Sequence, residues 1–265
     1  MKTPYRFITL KNRIPSTSCG LLAFVSLFCL APQAMAATTA VNLGSASGFA
    51  VLAGSGITFA GAVNSINING DIGSYPTPSI TGFENVVLNG TNQAGNSVTQ
   101  FAKTSLDGAY LDAESRAPDT TYSPASDLGG LTLSSGVYSN PSSFAISGIL
   151  TLDGLSDPNA VWIFQAGSTL TANSGSQVIL TGGAKAENVF WQIGSSATID
   201  PGSSFSGTVL ALTSITMNAG STIDGRLLAR NGAVTMGANT TIIPEPGSTI
   251  LLGAGLLTLA ARRRK

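Results

Sequence analysis

The second half of the chain carries a short apolar and polar alternation that returns several times. Leu170 and Ala172, Ala197 and Ile199, Ile215 and Met217, and Val234 and Met236 are its apolar members, and each pair encloses one threonine. A strand points successive side chains to opposite sides. The apolar set should therefore face a core, while Thr169 and Thr171, Ser196 and Thr198, Ser214 and Thr216, and Ala233 and Thr235 face outward. A second set follows the same logic, with Ser204, Thr222 and Thr241 beside Phe205, Ile223 and Ile242. Nearer the N-terminus, Phe49-Ala50-Val51-Leu52, Ile57-Thr58-Phe59 and Ile66-Asn67-Ile68 read as short strands punctuated by Gly54, Gly61 and Gly70.

Four segments do not alternate. Val161-Trp162-Ile163-Phe164, Val189-Phe190-Trp191, Val209-Leu210-Ala211-Leu212 and Leu227-Leu228-Ala229 are continuous apolar runs, the pattern of strands buried on both faces. A single helix is expected to cover them. Across 97–116, Val98, Phe101, Ala102, Leu106, Ala109, Tyr110 and Ala113 recur at helical spacing, with Lys103, Asp107 and Glu114 elsewhere on the circumference. Pro118 ends this helix, and 117–130 reads as a polar loop broken by Pro124 and the Gly129-Gly130 pair.

The alternating segments also repeat as units. Gly167-Ser-Thr-Leu-Thr-Ala-Asn-Ser-Gly-Ser176 aligns with Gly194-Ser-Ser-Ala-Thr-Ile-Asp-Pro-Gly-Ser203, 27 positions later. Ala197-Thr198-Ile199-Asp200 aligns with Ile215-Thr216-Met217-Asn218 after 18 more, and Val234-Thr235-Met236 follows 19 positions beyond that. Unequal periods with similar strands describe coils joined by loops of different length. The expected fold is mainly β: an irregular, discontinuous solenoid with one α-helix packed along it, two of its faces left bare.

Both ends of the chain have another character. Lys2, Arg6, Lys11 and Arg13 precede an apolar stretch and Ala34-Met35-Ala36, which predicts a signal peptide over 1–36 removed by signal peptidase. Pro244-Glu245-Pro246, a short apolar stretch and Arg262-Arg263-Arg264-Lys265 close the chain over 244–265. Positive charge after an apolar run resists translocation. These residues resemble the PEP-CTERM sorting signal, and the resemblance implies transient membrane contact through the tail, cleavage by an exosortase near Pro244 to Pro246, and a secreted or cell-surface location. It also makes exopolysaccharide a candidate partner.

The domain over 37–243 then keeps Lys103, Arg116, Lys185, Arg226 and Arg230 against 12 carboxylates. With no basic tract to neutralise phosphates, nucleic acid is not an expected partner. The chain has no histidine, and Cys19 and Cys29 both lie in the signal region. That excludes Ser-His-Asp and Cys-His catalysis, disulfides and Cys- or His-ligated metals from the exported part. The carboxylates Asp153, Asp157, Glu187, Asp200 and Asp224 are scattered rather than paired or repeated. No catalytic residue, metal site or cofactor is expected, and the protein reads as a binding protein rather than an enzyme.

Over 41–242 the sequence is similar to the microbial ice-binding (antifreeze) protein family. The strings that carry the likeness are Leu43-Gly44-Ser45-Ala46-Ser47-Gly48-Phe49-Ala50-Val51-Leu52-Ala53-Gly54, Ile68-Asn69-Gly70-Asp71-Ile72-Gly73 and Asn188-Val189-Phe190-Trp191-Gln192. Ala211-Leu212-Thr213-Ser214-Ile215-Thr216 and Gly225-Arg226-Leu227-Leu228-Ala229-Arg230-Asn231-Gly232-Ala233-Val234-Thr235 extend it. The resemblance implies that the partner is an ice crystal surface, bound on a flat solenoid face. Thr169, Thr171, Ser196, Thr198, Ser214, Thr216 and Thr235 are the expected contact residues, with the face of Ser204, Thr222 and Thr241 as the other candidate. A matrix protein that binds exopolysaccharide is the alternative reading.

Overall fold

The computed structural model describes residues 38–244. The predicted signal peptide and the apolar stretch of the sorting tail lie outside these residues. Short strands and Gly-rich corners dominate because each coil must turn three times within one repeat, which is as short as 18 residues from Ala197 to Ile215 and as long as 27 from Leu170 to Ala197. Every strand pair is parallel, from Ser204–Ala211 on Thr222–Ala229 to Leu170–Ala172 on Ala197–Ile199. Parallel neighbours cannot be joined by hairpins, so the chain travels around a full coil before it pairs with itself again.

An eight-stranded sheet forms one face. In spatial order its strands are Ile80–Thr81, Ile57–Phe59, Val234–Met236, Ile215–Met217, Ala197–Ile199, Leu170–Ala172, Phe144–Ile146 and Ser126–Asp127. A 14-stranded sheet wraps the other two faces. Its long strands Ser204–Ala211 and Thr222–Ala229 cross the corner between those faces at Gly207 (φ 110°) and Gly225 (φ 149°). A Cβ at Gly225 would stand 2.0 Å from the Gly207 carbonyl oxygen, so only glycine fits this bend.

The order in space is not the order in the chain. Coils between residues 120 and 242 stack in sequence, and the two N-terminal coils then stack on the last one, with Val51 beside Leu227 and Thr58 beside Thr235. The helix Ser97–Ser115 carries the chain from that end back to the other. At about 1.5 Å per residue its 19 residues reach roughly 28 Å. Seven parallel strands about 4.8 Å apart span roughly 29 Å, so one helix of this length covers the whole face.

Inside the coils, register turns sequence into stacking. Tyr138, Phe164 and Trp191 are register partners on successive strands. Their rings accordingly pile up, Tyr138 and Phe164 with centroids 5.3 Å apart and Phe164 and Trp191 4.0 Å apart. Ile163, Phe190, Leu210 and Leu228 point the opposite way from the same strands and are buried under the helix. The continuous apolar runs are thus buried on both sides, as their composition requires.

The helix presents a different stripe from the expected one. Thr99, Ala102, Lys103, Leu106, Ala109, Tyr110 and Ala113 face the solenoid, whereas Phe101 is 67% exposed and Val98 45%. Phe101 lies five residues before Leu106, about 140° around the helix, so both cannot face one surface. Polar anchors and small side chains set the rotation. Lys103 Nζ reaches the Ala229 carbonyl at 2.6 Å, Tyr110 Oη donates to the Ile193 carbonyl at 3.3 Å, and the three alanines let the helix approach closely. Asn96 starts the helix by accepting the Thr99 N–H at 3.0 Å.

Candidate functional site

On the eight-stranded face the alternation has the predicted sense. Leu170, Ala172, Ala197, Ile199, Ile215, Met217, Val234 and Met236 are all buried in the core. Their threonines stand outward in register, Thr171 beside Thr198, Thr198 beside Thr216, and Thr216 beside Thr235. Two further members continue the row. Thr58 pairs with Thr235, and Thr81 with Thr58. The segment Ile57-Thr58-Phe59 has the same apolar-Thr-apolar form as Ile215-Thr216-Met217, which was the available signal. Comparing successive coils does not reach it, because the coil that holds Thr58 is not successive in the chain.

Six threonines therefore form one straight row, and five gaps of about 4.8 Å make it roughly 24 Å long. The row ends at Ala145, beside Thr171, and then at Asp127. Partial burial works against the Asp127 charge, but the N–H groups of Gly129 and Ser147 outweigh it and hold the carboxyl below the usual range. An ionised group thus closes one end of the face.

Thr169, Ser196 and Ser214 occupy the neighbouring outward row and are half-buried. Their hydroxyls are engaged sideways. Thr169 Oγ1 donates to Ser143 Oγ at 2.9 Å, Ser196 Oγ lies 2.8 Å from Thr213 Oγ1, and Ser214 Oγ accepts the Ala233 N–H at 3.3 Å. On the other flank Asn218 Nδ2 donates to Asp200 Oδ1 at 3.0 Å, and Asn173 Nδ2 to Ser147 Oγ at 2.6 Å. The hydroxyls of Thr171, Thr198, Thr216 and Thr235 make no hydrogen bond among the described residues, which leaves their donors and acceptors to solvent. Two bonded rails thus stiffen a central row in which those four threonines keep their polar groups unspent, while at its far end Thr81 Oγ1 donates to Thr58 Oγ1 at 3.2 Å.

The remaining bare face is less uniform. Its matching outward row runs Ile149, Gln177, Ser204, Thr222, Thr241, Asn67 and Val87. A depression of about 380 Å³ interrupts it, lined by Ser204, Phe205, Thr222, Ile223, Asp224 and Ile243 among others. Trp162 and Trp191 are fully buried, so neither offers a platform for a sugar ring. Among the described residues no three His, Cys, Asp or Glu side chains converge on a metal-sized site.

Comparison with known proteins agrees with this architecture. Residues 51–242 match the Ice-binding-like family, and residues 243–265 match the PEP-CTERM protein-sorting motif, which marks the protein as secreted or held at the cell surface. An ice-binding protein of Nostoc sp. (strain HG1) is 44% identical over 92% of this chain and 94% of its own length. One of Colwellia sp. is 35% identical over 89% and 96%. Among solved structures, an ice binding protein from an Antarctic Biological Consortium superposes with a TM-score of 0.75 at 45% identity, covering 81% of this chain and 96% of that one. Another, from the Antarctic ascomycete Antarctomyces psychrotrophicus, gives 0.75 at 36% identity, with 79% and 100% covered. With the family's span taking in almost all of the solenoid, and its coils, helix and threonine face in place, the chain belongs to the ice-binding-like family, a family of binding proteins rather than enzymes.

Proposed function

We propose that this exported protein adsorbs to ice through the row Thr81, Thr58, Thr235, Thr216, Thr198 and Thr171, and so restrains the growth or recrystallisation of ice near the cell. The observation that carries the assignment is the in-register row, with the hydroxyls of Thr171, Thr198, Thr216 and Thr235 unspent, on a face held rigid by its flanking hydrogen bonds. Each threonine offers a methyl group, around which water orders, and a hydroxyl, which fixes that water by hydrogen bonding. Ice repeats in two dimensions, so a periodic rigid face meets it with little ordering cost at binding. A molecule fixed on the surface forces the ice front to bulge between neighbours, and the added curvature opposes further growth. Thr169, Ser196 and Ser214 support the row from its flank.

Export is proposed to run through signal peptidase cleavage before Ala37 and exosortase processing near Pro244 to Pro246, with membrane contact limited to that passage. The test of the binding assignment is a recrystallisation assay on the purified protein with Thr216→Tyr as its partner. Grain growth should stop with the parent protein and resume with the variant. A parent protein that neither slows grain coarsening nor alters crystal shape would overturn the assignment.

A further inference from the structure

One junction in the solenoid joins coils that are remote in the chain. Other stacked coils follow one another directly, whereas Ile57–Phe59 meets Val234–Met236 without a connecting loop, and this seam falls inside the threonine row between Thr58 and Thr235. Closing so long a loop costs entropy that no local turn offsets. A stack opens most readily where its neighbours are not tethered.

Three of the five cations among the described residues gather on the helix side of these same coils. Arg226 Nε donates to the Ser47 carbonyl at 3.0 Å, across 179 positions of chain. Lys103 Nζ donates to the Ala229 carbonyl at 2.6 Å and also to that of Arg230. Arg230 Nε bonds Asp107 Oδ1 at 2.8 Å, while its guanidinium carbon sits 4.6 Å over the Tyr110 ring. The backbone is locked beside them, where the N–H groups of Gly54 and Ser55 both donate to the Gly232 carbonyl. Arg116 and Lys185 lie elsewhere and pair with Asp112 and Glu187.

Lys103 and Arg226 are only 8% and 6% exposed. Burial pushes the Lys103 ammonium down to about 8, Asp107 opposing and Arg230 adding to the effect. Burying cations against carbonyls is expensive where a leucine would pack, so a specific gain should accompany the expense. The gain lies in position: Arg226 ties the last coil to Ser47 at the entry to the first coil, and Lys103 and Arg230 tie the last coil to the helix that continues the chain from the two N-terminal coils.

We propose that Lys103, Arg226 and Arg230 clasp the N-terminal coils onto the last coil, acting as positioning residues that hold Thr58 and Thr81 in line with Thr235. The functional half of this inference rests on the proposed ice-binding role of the row. Without the clasp, a four-threonine face of Thr171, Thr198, Thr216 and Thr235 would remain, with the other two out of line.

The experiment combines Lys103→Met and Lys103→Arg with Thr58→Tyr/Thr81→Tyr in the full protein, scoring recrystallisation inhibition and site-resolved amide exchange. Lys103→Met should raise the concentration needed for inhibition several-fold, to the level of the double-Tyr variant, and combining the two should cost nothing more. Exchange at 57–59 and 234–236 should accelerate at least tenfold, with 170–172 and 197–199 unchanged, and Lys103→Arg should recover most of both. Additive losses, unchanged inhibition, or acceleration spread evenly over all coils would overturn the clasp. Should Lys103→Met fail to fold, Arg226→Met is read by the same two measures. If Thr216→Tyr has no effect on ice, the binding assignment fails, and the exchange pattern alone still decides whether the clasp exists.

Discussion

The helix-covered face and the threonine face are made by the same coils yet obey opposite rules. Under the helix, Ile163, Phe190, Leu210 and Leu228 vary in size and shape, because each must fit a particular gap beneath Ala102, Leu106 or Ala109. On the open face the same outward position is threonine six times over. Packing against a helix demands variety, whereas contact with a periodic ligand demands repetition. The third face is mixed: Ser204, Thr222 and Thr241 are three hydroxyls in succession, but Gln177 and Ile149 continue the row on one side and Asn67 and Val87 on the other. On the proposed site assignment this face answers to neither a helix nor a lattice.

The contrast is most easily broken at the covered face. Leu106→Asp places a carboxylate at a fully buried position among apolar side chains, and should cost about 3–5 kcal/mol, lowering the melting temperature by roughly 10 °C. Phe101→Asp, on the same helix but exposed, should shift stability by no more than about 0.5 kcal/mol. Equal losses in thermal unfolding would mean that Phe101, and not only Leu106, packs against the solenoid.

At the threonine face the expected effect moves from stability to activity. Thr216→Tyr stands a ring above the centre of the row, and about tenfold more protein should be needed to halt recrystallisation, with melting altered by roughly 2 °C or less. Thr222→Tyr makes the same change on the mixed face and should raise that concentration less than about twofold, on the same surface-substitution argument. The reverse outcome, with Thr222 sensitive and Thr216 tolerant, would transfer the site to the other face. The finest test is a gain. Ala145→Thr extends the row by one strand and should improve inhibition slightly, whereas Thr at Ala233, on the flanking row, should change little.

Strand direction is legible in the sequence, and for a local reason. The pleat has a period of two, so Leu170, Thr171 and Ala172 declare their directions without reference to anything else. Register was equally accessible at the 18- and 19-residue steps, where Thr198, Thr216 and Thr235 align by eye. Helix rotation was not. Val98 and Phe101 are as apolar as Leu106, and the carbonyls of Ala229, Arg230 and Ile193, together with the close approach allowed by Ala102, Ala109 and Ala113, decide which side turns inward. Nor does composition distinguish a free hydroxyl from one already bonded, so the sideways bonds of Thr169, Ser196 and Ser214 are visible only in the folded structure.

By itself, then, the amino-acid order determined what depends on near neighbours: strand direction, the inward and outward sets, the existence of one long helix, and the different character of the two ends. Tertiary structure decided what depends on remote ones. It brought Thr58 and Thr81 onto a row otherwise built from 171 to 235, and turned Lys103 inward against carbonyls 126 positions away. The reason is physical: hydrophobic alternation acts through bonds along the chain, but the choice of which coil lies beside which is made by whole surfaces burying one another, and no short window of sequence contains both partners.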